Sequence, residues 1–429
     1  MRIAIYLRNQ GITNIDCSDL LKGNPGIGGT EYCVLLLAQL YKEFYPSDEI
    51  HLLVSSNSPL PAVDAVWEVA DVFAAAEKAK GLDADVFLCS AVDQGNPLPK
   101  SFFERVDQLE LNTVTWGHNF YLSDFCDRLA GCKHLRANVF VGRQQYDRYL
   151  DHKVIHKSTY IYNMYPEATH PGRTEIQAPV VTYIGSLVPM KGFHILADAW
   201  KQILAEVPDA QLMVIGSGKL YGQDAQLGKY GIAEASYENS FMPGLLDEKG
   251  AMLPSVHFLG VMGSEKADVI ARTSVGVVNP SGRTETFGIS ALDFESLGVP
   301  VVTIGKGGFL DTIVDGQTGI LYQDPARIAH CVTELLTDQQ KNLMYGNNGR
   351  KHAEKFLPQS LIGQWHDLFH RVAQGDTPEF HAPESFMNTN LKWLRWKNRK
   401  LKDALKVEYP ISVIGMETIA RKVLRVFGK

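Results

Sequence analysis

The feature that most constrains the fold is an alternation of short apolar runs with longer amphipathic segments along most of the chain. The apolar runs have the length of buried strands, and the amphipathic segments have the spacing of helices. Such an alternation is typical of βαβ units, whose parallel strands are connected by helices. The predicted strands of the first half are 3–7, 50–54, 86–89, 113–117 and 139–141, and the first predicted helix is 30–44.

The alternation is interrupted once, at 162–172, where prolines, a glycine and few apolar residues predict a linker. It then resumes and ends near residue 356. A length of 429 residues suits more than one domain. We therefore predict an α/β chain with two Rossmann-like, doubly wound parallel-sheet domains, 1–166 and 167–357, that face each other across a cleft. The predicted strands of the second half are 180–185, 211–215, 256–259, 275–278 and 299–304, and a helix is predicted over 192–206.

Composition excludes several classes of function. The net charge of −6 provides no overall basic field for nucleic acid. No apolar run is long enough to span a bilayer, and the N-terminal apolar run is shorter than that of a signal peptide. The six cysteines form neither a CxxC motif nor a zinc spacing, which predicts buried thiols. We expect a cytoplasmic protein.

Two glycine-containing loops precede predicted helices. The segment 26–31, Gly-Ile-Gly-Gly-Thr-Glu, lies before helix 30–44, and its Gly28 and Gly29 would let the backbone approach an anion or a sugar. It lacks the third glycine of a dinucleotide fingerprint and lies well beyond the first strand, which disfavours a nicotinamide oxidoreductase. The segment 185–192 places Lys191 beside a helix N-terminus, where an ammonium group and the helix dipole could hold a diphosphate. A helix-entry loop and a solvated lysine are the alternatives.

The third motif follows the predicted strand 275–278. It places Glu285 in a loop, Phe287 and Gly288 at the start of a helix, and Asp293 two turns along that helix. Two carboxylates in this arrangement can accept hydrogen bonds from two separate hydroxyl-bearing groups. A turn with one exposed acid and one acid on a helix face is the alternative.

The segment 285–302 resembles the donor-binding motif of retaining family-4 glycosyltransferases of the GT-B fold. That motif has a glutamate, any residue, Phe-Gly, four further residues and a second glutamate, followed by a Gly-x-Pro-Val-Val strand. Glu285 matches the first acid, Asp293 stands in the second acidic place, and Gly-Val-Pro-Val-Val occupies 298–302. The resemblance covers 1–372 and is strongest over 180–325. Further matching segments are 28–31, 216–218, 258–260, 307–308 and 315–319.

The resemblance implies a role for individual residues. Glu285 would contact the donor sugar, Asp293 would hold the ribose, and Lys191 would bind the diphosphate. His118, which follows a first-domain strand, matches an active-site histidine, although by itself it reads as a structural or surface histidine. The implied catalytic residues are His118, Lys191 and Glu285. The donor-binding set consists of Gly28, Gly29, Ser186, Lys191, Gly216, Arg283, Glu285, Thr286, Phe287, Gly288 and Asp293.

The chain departs from the family pattern at three positions. Ser186 stands where an arginine is usual, and Arg283 is the candidate to replace that cation. Asp293 is one methylene shorter than glutamate, which predicts a longer or water-bridged contact with the ribose. Glu295 points to another face of the helix and is a poor substitute. Asp311 stands where a glutamate is common.

These motifs predict transfer of a sugar from a nucleotide-sugar to a glycan or lipid-linked acceptor. The family resemblance implies that the reaction retains anomeric configuration. We expect no metal and no cofactor, because protein cations would stabilise the leaving diphosphate. Cell-surface polysaccharide or glycolipid synthesis is the expected setting. The alternatives are a non-catalytic nucleotide-sugar-binding partner of another transferase and a nucleotide-sugar epimerase of the same fold.

Two segments follow the second domain. The amphipathic segment 358–373 corresponds to the helix that returns to the first domain in GT-B proteins. The extension 374–429 is predicted to be helical and basic, since 391–429 holds eleven Lys or Arg and three Asp or Glu. Its apolar stripes and tryptophans fit an anionic membrane surface, so that the protein would lie on the inner face of the cell membrane. Packing on its own domain or on another subunit is the alternative. The stripes are Leu391, Leu394, Leu401 and Leu405, then Ile419, Val423, Val426 and Phe427.

Overall fold

A computed structural model describes residues 1–93, 95–166, 173, 175, 178–218, 226–384, 390–409 and 411–426. Most of the predicted linker 162–172, and Phe427 of the tail stripe, lie outside these residues. The described chain separates into two compact units. The first consists of Met1–Asp19, Thr30–Met164 and Leu361–Lys429, and the second of Leu20–Gly29 and Tyr165–Ser360. The second unit therefore includes the loop before the first long helix, which the sequence placed in the first domain.

Parallel strands dominate the first unit, as the alternating pattern predicts. Its sheet has the order β3-β2-β1-β4-β7-β8-β9 in the described chain, while β5 and β6 form a small antiparallel pair. The strands are β1 (Arg2–Leu7), β2 (Glu49–Val54), β3 (Ala65–Glu68), β4 (Val86–Ser90), β5 (Val92–Asp93), β6 (Asn96–Pro97), β7 (Thr113–Gly117), β8 (Leu135–Phe140) and β9 (Ser158–Tyr160). The helices between them are α1 (Gly29–Phe44), α2 (Val72–Gly81), α3 (Lys100–Gln108), α4 (Ser123–Gly131) and α5 (Arg143–Asp147).

The second unit contains a parallel sheet of order β12-β11-β10-β13-β14-β15 in the described chain. The strands are β10 (Val180–Ile184), β11 (Gln211–Ile215), β12 (Val256–Gly260), β13 (Val275–Val278), β14 (Val301–Ile304) and β15 (Gly319–Tyr322). The helices are α6 (Phe193–Glu206), α7 (Ala235–Phe241), α8 (Lys266–Ile270), α9 (Ile289–Glu295), α10 (Phe309–Thr312), α11 (Ile328–Thr337) and α12 (Gln339–Ala353).

The sheet of the second unit is covered on both faces, which explains why its strands read as continuous apolar runs. Val275 and Val277 belong to one core, whereas Val278 belongs to a second core with Phe294 of α9. Between them, Gly276 leaves room for Phe294, because a Cβ atom there would lie 2.5 Å from its ring. The predicted doubly wound architecture is thus confirmed for this unit.

Among the described residues after α12, the helices are α13 (Pro358–Ala373), α14 (Lys392–Leu405) and α15 (Val413–Val426). The apolar stripe of α13 is buried, as its spacing predicts. All six cysteines are buried and free, as predicted. None of the described helices is long and apolar enough to cross a membrane.

Candidate functional site

The candidate site is built where the strand order of the second sheet reverses. β10 and β13 are neighbours in the sheet, although about ninety residues separate them in the chain. The chain continues from β10 through a loop that ends in a short 3-10 turn, Pro189–Lys191, and from β13 through the loop 279–288. Because parallel strands end at the same edge of a sheet, both loops emerge side by side, at the position where doubly wound sheets bind ligands.

Lys191 and Glu285, which two separate motifs singled out, form an ion pair in these loops. The Lys191 Nζ atom lies 2.9 Å from Glu285 Oε2, with side chains 23% and 14% exposed. The Asn279 amide also donates to Oε2 at 3.1 Å, and the backbone N–H of Gly288 donates to Oε1 at 3.0 Å. Both carboxylate oxygens are therefore held by donors from two loops.

This environment keeps Glu285 ionised. Burial raises the pKa of its carboxyl group, but the charge and hydrogen bond of Lys191, together with the bonds from Asn279 and Gly288, outweigh that effect. The net pKa lies below the ordinary value. The arrangement is a fixed carboxylate beside a fixed ammonium group, at a partly exposed edge of the sheet.

The loop 279–288 has an unusual backbone. Asn279 and Thr284 have positive φ angles of 31° and 58°, and Gly282 and Gly288 have φ angles of 60° and 85°. Such conformations in non-glycine residues cost free energy and cluster at functional sites. Ser281 fastens this loop to its neighbour by donating from Oγ to the Met190 carbonyl at 2.6 Å.

A third loop supports the pair from the end of β14. The backbone N–H of Gly308 donates to the Glu285 carbonyl at 3.1 Å. A Cβ atom on Gly308 would lie 2.1 Å from the backbone nitrogen of Phe287, so only glycine fits this approach. Thr286 and Phe287 are buried, and the Phe287 ring packs edge-on against Phe356 at a centroid distance of 5.4 Å. Phe287 therefore anchors the loop in the core.

The remaining predicted donor residues of this sheet differ in accessibility. Arg283 is exposed, and its backbone N–H donates to Ser281 Oγ. Ser186 is buried, so its side chain lies inside the loop rather than on its surface. Gly216 has a φ angle of 143°, and a Cβ atom there would lie 2.0 Å from the Gly185 carbonyl oxygen. Gly216 therefore allows the loops after β10 and β11 to pack closely.

Asp293 lies on α9, as predicted, but its carboxylate already has partners. Lys266 Nζ lies 2.9 Å from Oδ1, and the Tyr165 hydroxyl donates to the same oxygen at 2.9 Å. Glu295 points elsewhere and accepts from His352 at 3.1 Å, as its position on another helix face predicts. Sequence reasoning did not identify Tyr165 or Lys266, because neither lies in a recognisable motif. It quoted Asn279 within the third motif without giving it a role.

Gly28 and Gly29 lie at the end of the loop that belongs to the second unit. Asn24 shapes this loop, because its Oδ1 atom accepts from the backbone N–H groups of Gly26 and Ile27 at 2.9 and 2.8 Å. A Cβ atom on Gly26 would lie 3.0 Å from Val261. Gly29 is the first residue of α1.

His118 lies in the first unit, directly after β7. Its ring packs against Trp116 at a centroid distance of 4.6 Å, and both ring nitrogens are shielded from solvent, although the residue keeps some exposed surface. Loss of hydration lowers the pKa of His118 to about 3. The imidazole is therefore neutral at physiological pH.

One group in the described chain has side chains that could hold a metal ion: Asp48, His366 and His370. The His366 and His370 Nε2 atoms are 3.1 Å apart. Asp48 precedes β2, whereas His118 follows β7 of the same parallel sheet. The group thus lies at the amino ends of the strands, whereas His118 lies at their carboxyl ends.

The segment that contains these loops is similar to known proteins. Residues 169–352 match the family model of Glycosyl transferases group 1. D-inositol 3-phosphate glycosyltransferase of Corynebacterium efficiens is 28% identical over 208 residues, 47% of this chain and 46% of the relative. The capsular polysaccharide biosynthesis glycosyltransferase CapM of Staphylococcus aureus is 29% identical over 193 residues, 44% of each chain. The chain spans about half the length of the curated relatives it matches.

Solved structures resemble a larger part of the chain. HepE of Anabaena in complex with UDP-glucose has a TM-score of 0.60 at 15% identity, over 86% of this chain and 98% of its own. Sucrose-phosphate synthase of Thermosynechococcus elongatus has a TM-score of 0.62 at 16% identity, over 88% and 100%. These likenesses show the fold. The segment 169–352 therefore resembles the glycosyl transferases group 1 family, and the chain that carries it has the GT-B fold.

Proposed function

We propose that the protein is a glycosyltransferase that moves a sugar from a nucleotide-sugar to a glycan or lipid-linked acceptor. The observation that carries the proposal is the Lys191–Glu285 pair at the reversal point of the second sheet. The family of 169–352 and a solved neighbour that holds UDP-glucose support it. The relative named for capsular polysaccharide biosynthesis supports a role in cell-surface polysaccharide or glycolipid synthesis.

The two charged groups have separate roles in this proposal. The leaving diphosphate gains negative charge as the bond to the sugar breaks, and Lys191 beside the N-terminus of α6 stabilises that charge. The Glu285 carboxylate accepts hydrogen bonds from the sugar hydroxyl groups, which fixes the sugar relative to the diphosphate. The low pKa of Glu285 keeps it an acceptor throughout the reaction.

Three further residues complete the proposed donor and acceptor contacts. Asp293 binds a ribose hydroxyl, since the bonds from Lys266 and Tyr165 do not use all the acceptor positions of a carboxylate. Neutral His118, at the end of β7, forms a hydrogen bond with a substrate hydroxyl once a ring nitrogen that is now shielded becomes accessible. Arg283, exposed on the loop 279–288, adds a second cation for the diphosphate.

The same arrangement makes the proposed transfer independent of a metal ion, because Lys191 and Arg283 provide positive charge where a metal would otherwise be needed. Retention of anomeric configuration follows the family resemblance, with acceptor attack on the face that the diphosphate leaves. Full transfer activity in the presence of a chelator would support the first point, and the anomeric proton coupling of the product tests the second.

The experiment that tests the function uses the full chain with UDP-, GDP-, ADP- and dTDP-sugars, and measures both donor binding and donor turnover. One donor class should bind and turn over. Glu285→Gln should lower turnover by about a hundredfold, because it removes charge from a group that orients the sugar. Glu248→Gln is the matched control, since Glu248 is an exposed acid of the same unit.

Other results would select an alternative. Tight binding of a donor without turnover, with every acceptor supplied, would make the protein a non-catalytic binding partner. Conversion of a nucleotide-sugar into its epimer would make it an epimerase. Equal turnover by wild type and Glu285→Gln would remove the proposed site.

A further inference from the structure

The helix α14 is packed with its charged face inward. Lys392, Arg395, Arg399 and Lys402 are each about 2% exposed or less. The leucines of the same helix are outside, with Leu394 54% exposed and Leu405 58% exposed. The sequence predicted the helical spacing of these leucines, but the structure reverses the usual arrangement, in which the apolar face of a helix covers the core.

Asp151 and acidic residues of the tail itself hold buried cations of α14. Lys402 Nζ donates to the backbone carbonyl of Asp151 at 2.8 Å, and Arg395 lies 3.7 Å from its carboxylate. Arg395 also pairs with Glu417 of α15 at 2.7 Å. Such buried pairs fix the orientation of the helix, since turning it would leave charges buried without partners. The outward position of the leucines is therefore imposed by the packing.

The exposed apolar side chains of the molecule concentrate in this region. Eleven of the twenty large hydrophobic side chains exposed in the described chain lie within 391–424. We call them the apolar tail surface. Single exposed apolar residues need no explanation, but a concentration of this kind marks an interaction site. Its members are Leu391, Leu394, Leu401, Leu405, Val407, Tyr409, Ile411, Met416, Ile419, Val423 and Leu424.

The charges beside this surface are positive. The three acids of 391–426 each pair with an inward arginine, with Asp403 and Glu408 at 2.9 and 2.8 Å from Arg399, and Glu417 paired to Arg395. Exposed cations remain among the apolar residues. Within the described ranges, no ion pair involves Lys397, Lys400, Lys406 or Arg421.

The tail helices also adjoin the segment that follows His118. The backbone N–H of Ser123 donates to Thr418 Oγ1 at 3.0 Å, and Arg148, which pairs with Glu417, lies over the ring of Phe120. Phe120 and Leu122 are themselves exposed. Apolar exposure therefore extends from α15 to the loop that carries His118.

We propose that the apolar tail surface binds an anionic lipid bilayer. Apolar side chains mixed with unpaired cations match the interface of such a bilayer, where side chains enter the acyl region and lysines meet lipid phosphates. A second copy of the chain fits less well, because Asp403, Glu408 and Glu417 are already paired, so that a symmetric contact between two such surfaces would bring no free tail acid to Lys397 and Lys400. Docking would hold the loop after β7 at the lipid surface, and, on the proposed function, this favours a lipid-linked acceptor.

The test measures co-sedimentation of the full chain with vesicles of phosphatidylcholine, with and without about one third phosphatidylglycerol. The wild type should bind the anionic vesicles and bind the neutral ones less. Leu394→Ser combined with Leu401→Ser should weaken binding by about tenfold or more, since two exposed leucines lose their transfer from water. Met344→Ser is the matched control, because Met344 is 51% exposed on α12 of the second unit.

Three results would overturn the proposal: no binding of the wild type to anionic vesicles, equal binding by the double leucine variant, or a wild-type dimer that this variant dissociates in light scattering. Unchanged circular dichroism of the variant would show that it folds. The assay contains no nucleotide-sugar, so vesicle binding without sugar transfer would retain the apolar tail surface and remove the proposed function. Transfer without vesicle binding would do the reverse.

Discussion

At the scale of single residues, Lys191 and Glu285 show what sequence patterns can provide. Each was predicted from its own motif, and the structure brings their charged atoms within 2.9 Å. The two predicted residues meet because their motifs follow β10 and β13, which are neighbours in the sheet. Tyr165 and Lys266 could not be predicted in the same way. Both contact Asp293, but no sequence motif marks a residue that will make such a contact.

His118 provides a prediction about pH. Its pKa is lowered to about 3 by loss of hydration, against an ordinary value of 6.5. Folding therefore favours the neutral ring, and this contribution to stability is present above pH 6.5 and lost as the pH falls towards 3. Between about pH 7.5 and 5, the wild type should lose about 1 to 2 kcal/mol more free energy of unfolding than His118→Gln. Urea unfolding at both pH values measures the difference.

Asn119→Gln is the control for this experiment, because Asn119 is the exposed neighbour of His118 and its side chain does not titrate. It should lose as much free energy of unfolding as the wild type over the same pH range. If His118→Gln behaves like Asn119→Gln, then folding does not lower the pKa of His118, and its assigned role as a neutral partner fails.

At the scale of secondary structure, burial on two faces decided which strands could be predicted. β7, β11 and β13 lie inside their sheets and have the predicted bounds. β3 and β9 were not predicted, because each lies at the edge of its sheet and keeps exposed or polar positions. For α14 the helical spacing of the leucines was predicted, but the face that is buried was not. Which face is buried depends on contacts with Asp151, which lies far away in the sequence.

Gly192 offers a test of how the two site loops are joined. It has a φ angle of 67°, and a Cβ atom there would lie 2.6 Å from the backbone nitrogen of Ser281. Gly192→Ala should therefore lower the free energy of unfolding by at least about 2 kcal/mol, through backbone strain and a clash with the loop after β13. It should also weaken donor binding. Urea unfolding and donor titration measure the two effects.

Gly250→Ala separates strain from clash. Gly250 has a similar φ angle of 78°, but a Cβ atom there would have no neighbouring atom within 4 Å. The free energy of unfolding of this variant should be only about 1 kcal/mol below that of the wild type, and the variant should bind donor normally. Equal losses in both variants would mean that the contact between Gly192 and Ser281 contributes nothing to stability.

At the scale of the whole molecule, each of the two units has cores of its own, and the predicted donor contacts are distributed unevenly between them. Lys191, Glu285 and Asp293 lie in the second unit, and so does the loop Leu20–Gly29. His118 lies in the first unit. The division of the chain near 165 followed from a change in composition. The sequence did not predict that 20–29 belongs to the second unit, because this depends on tertiary contacts such as that of Gly26 with Val261.

This distribution predicts where a bound nucleotide-sugar slows amide hydrogen exchange. Protection should increase in 185–192, in 279–288 and in the loop Leu20–Gly29, where backbone N–H groups would meet the ligand. The edge strand β3 of the first unit should be unaffected and serves as the internal reference. Protection limited to 185–192 and 279–288 would remove Gly28 and Gly29 from the donor site.

The inward face of α14 also determines whether the protein can be shortened without harm to its first unit. The family match ends at residue 352, so a truncation guided by it would discard the tail as an appendage. Yet the carboxylate of Asp151 is fully buried, and it accepts from Asn398 at 2.9 Å and from the backbone of Val413 at 2.7 Å. A truncation would remove these donors from Asp151 and would also take Ile414 of α15 out of the core of the first unit. The helices α14 and α15 are thus no detachable module, and this chain could neither acquire nor shed them in evolution without rebuilding the unit they complete.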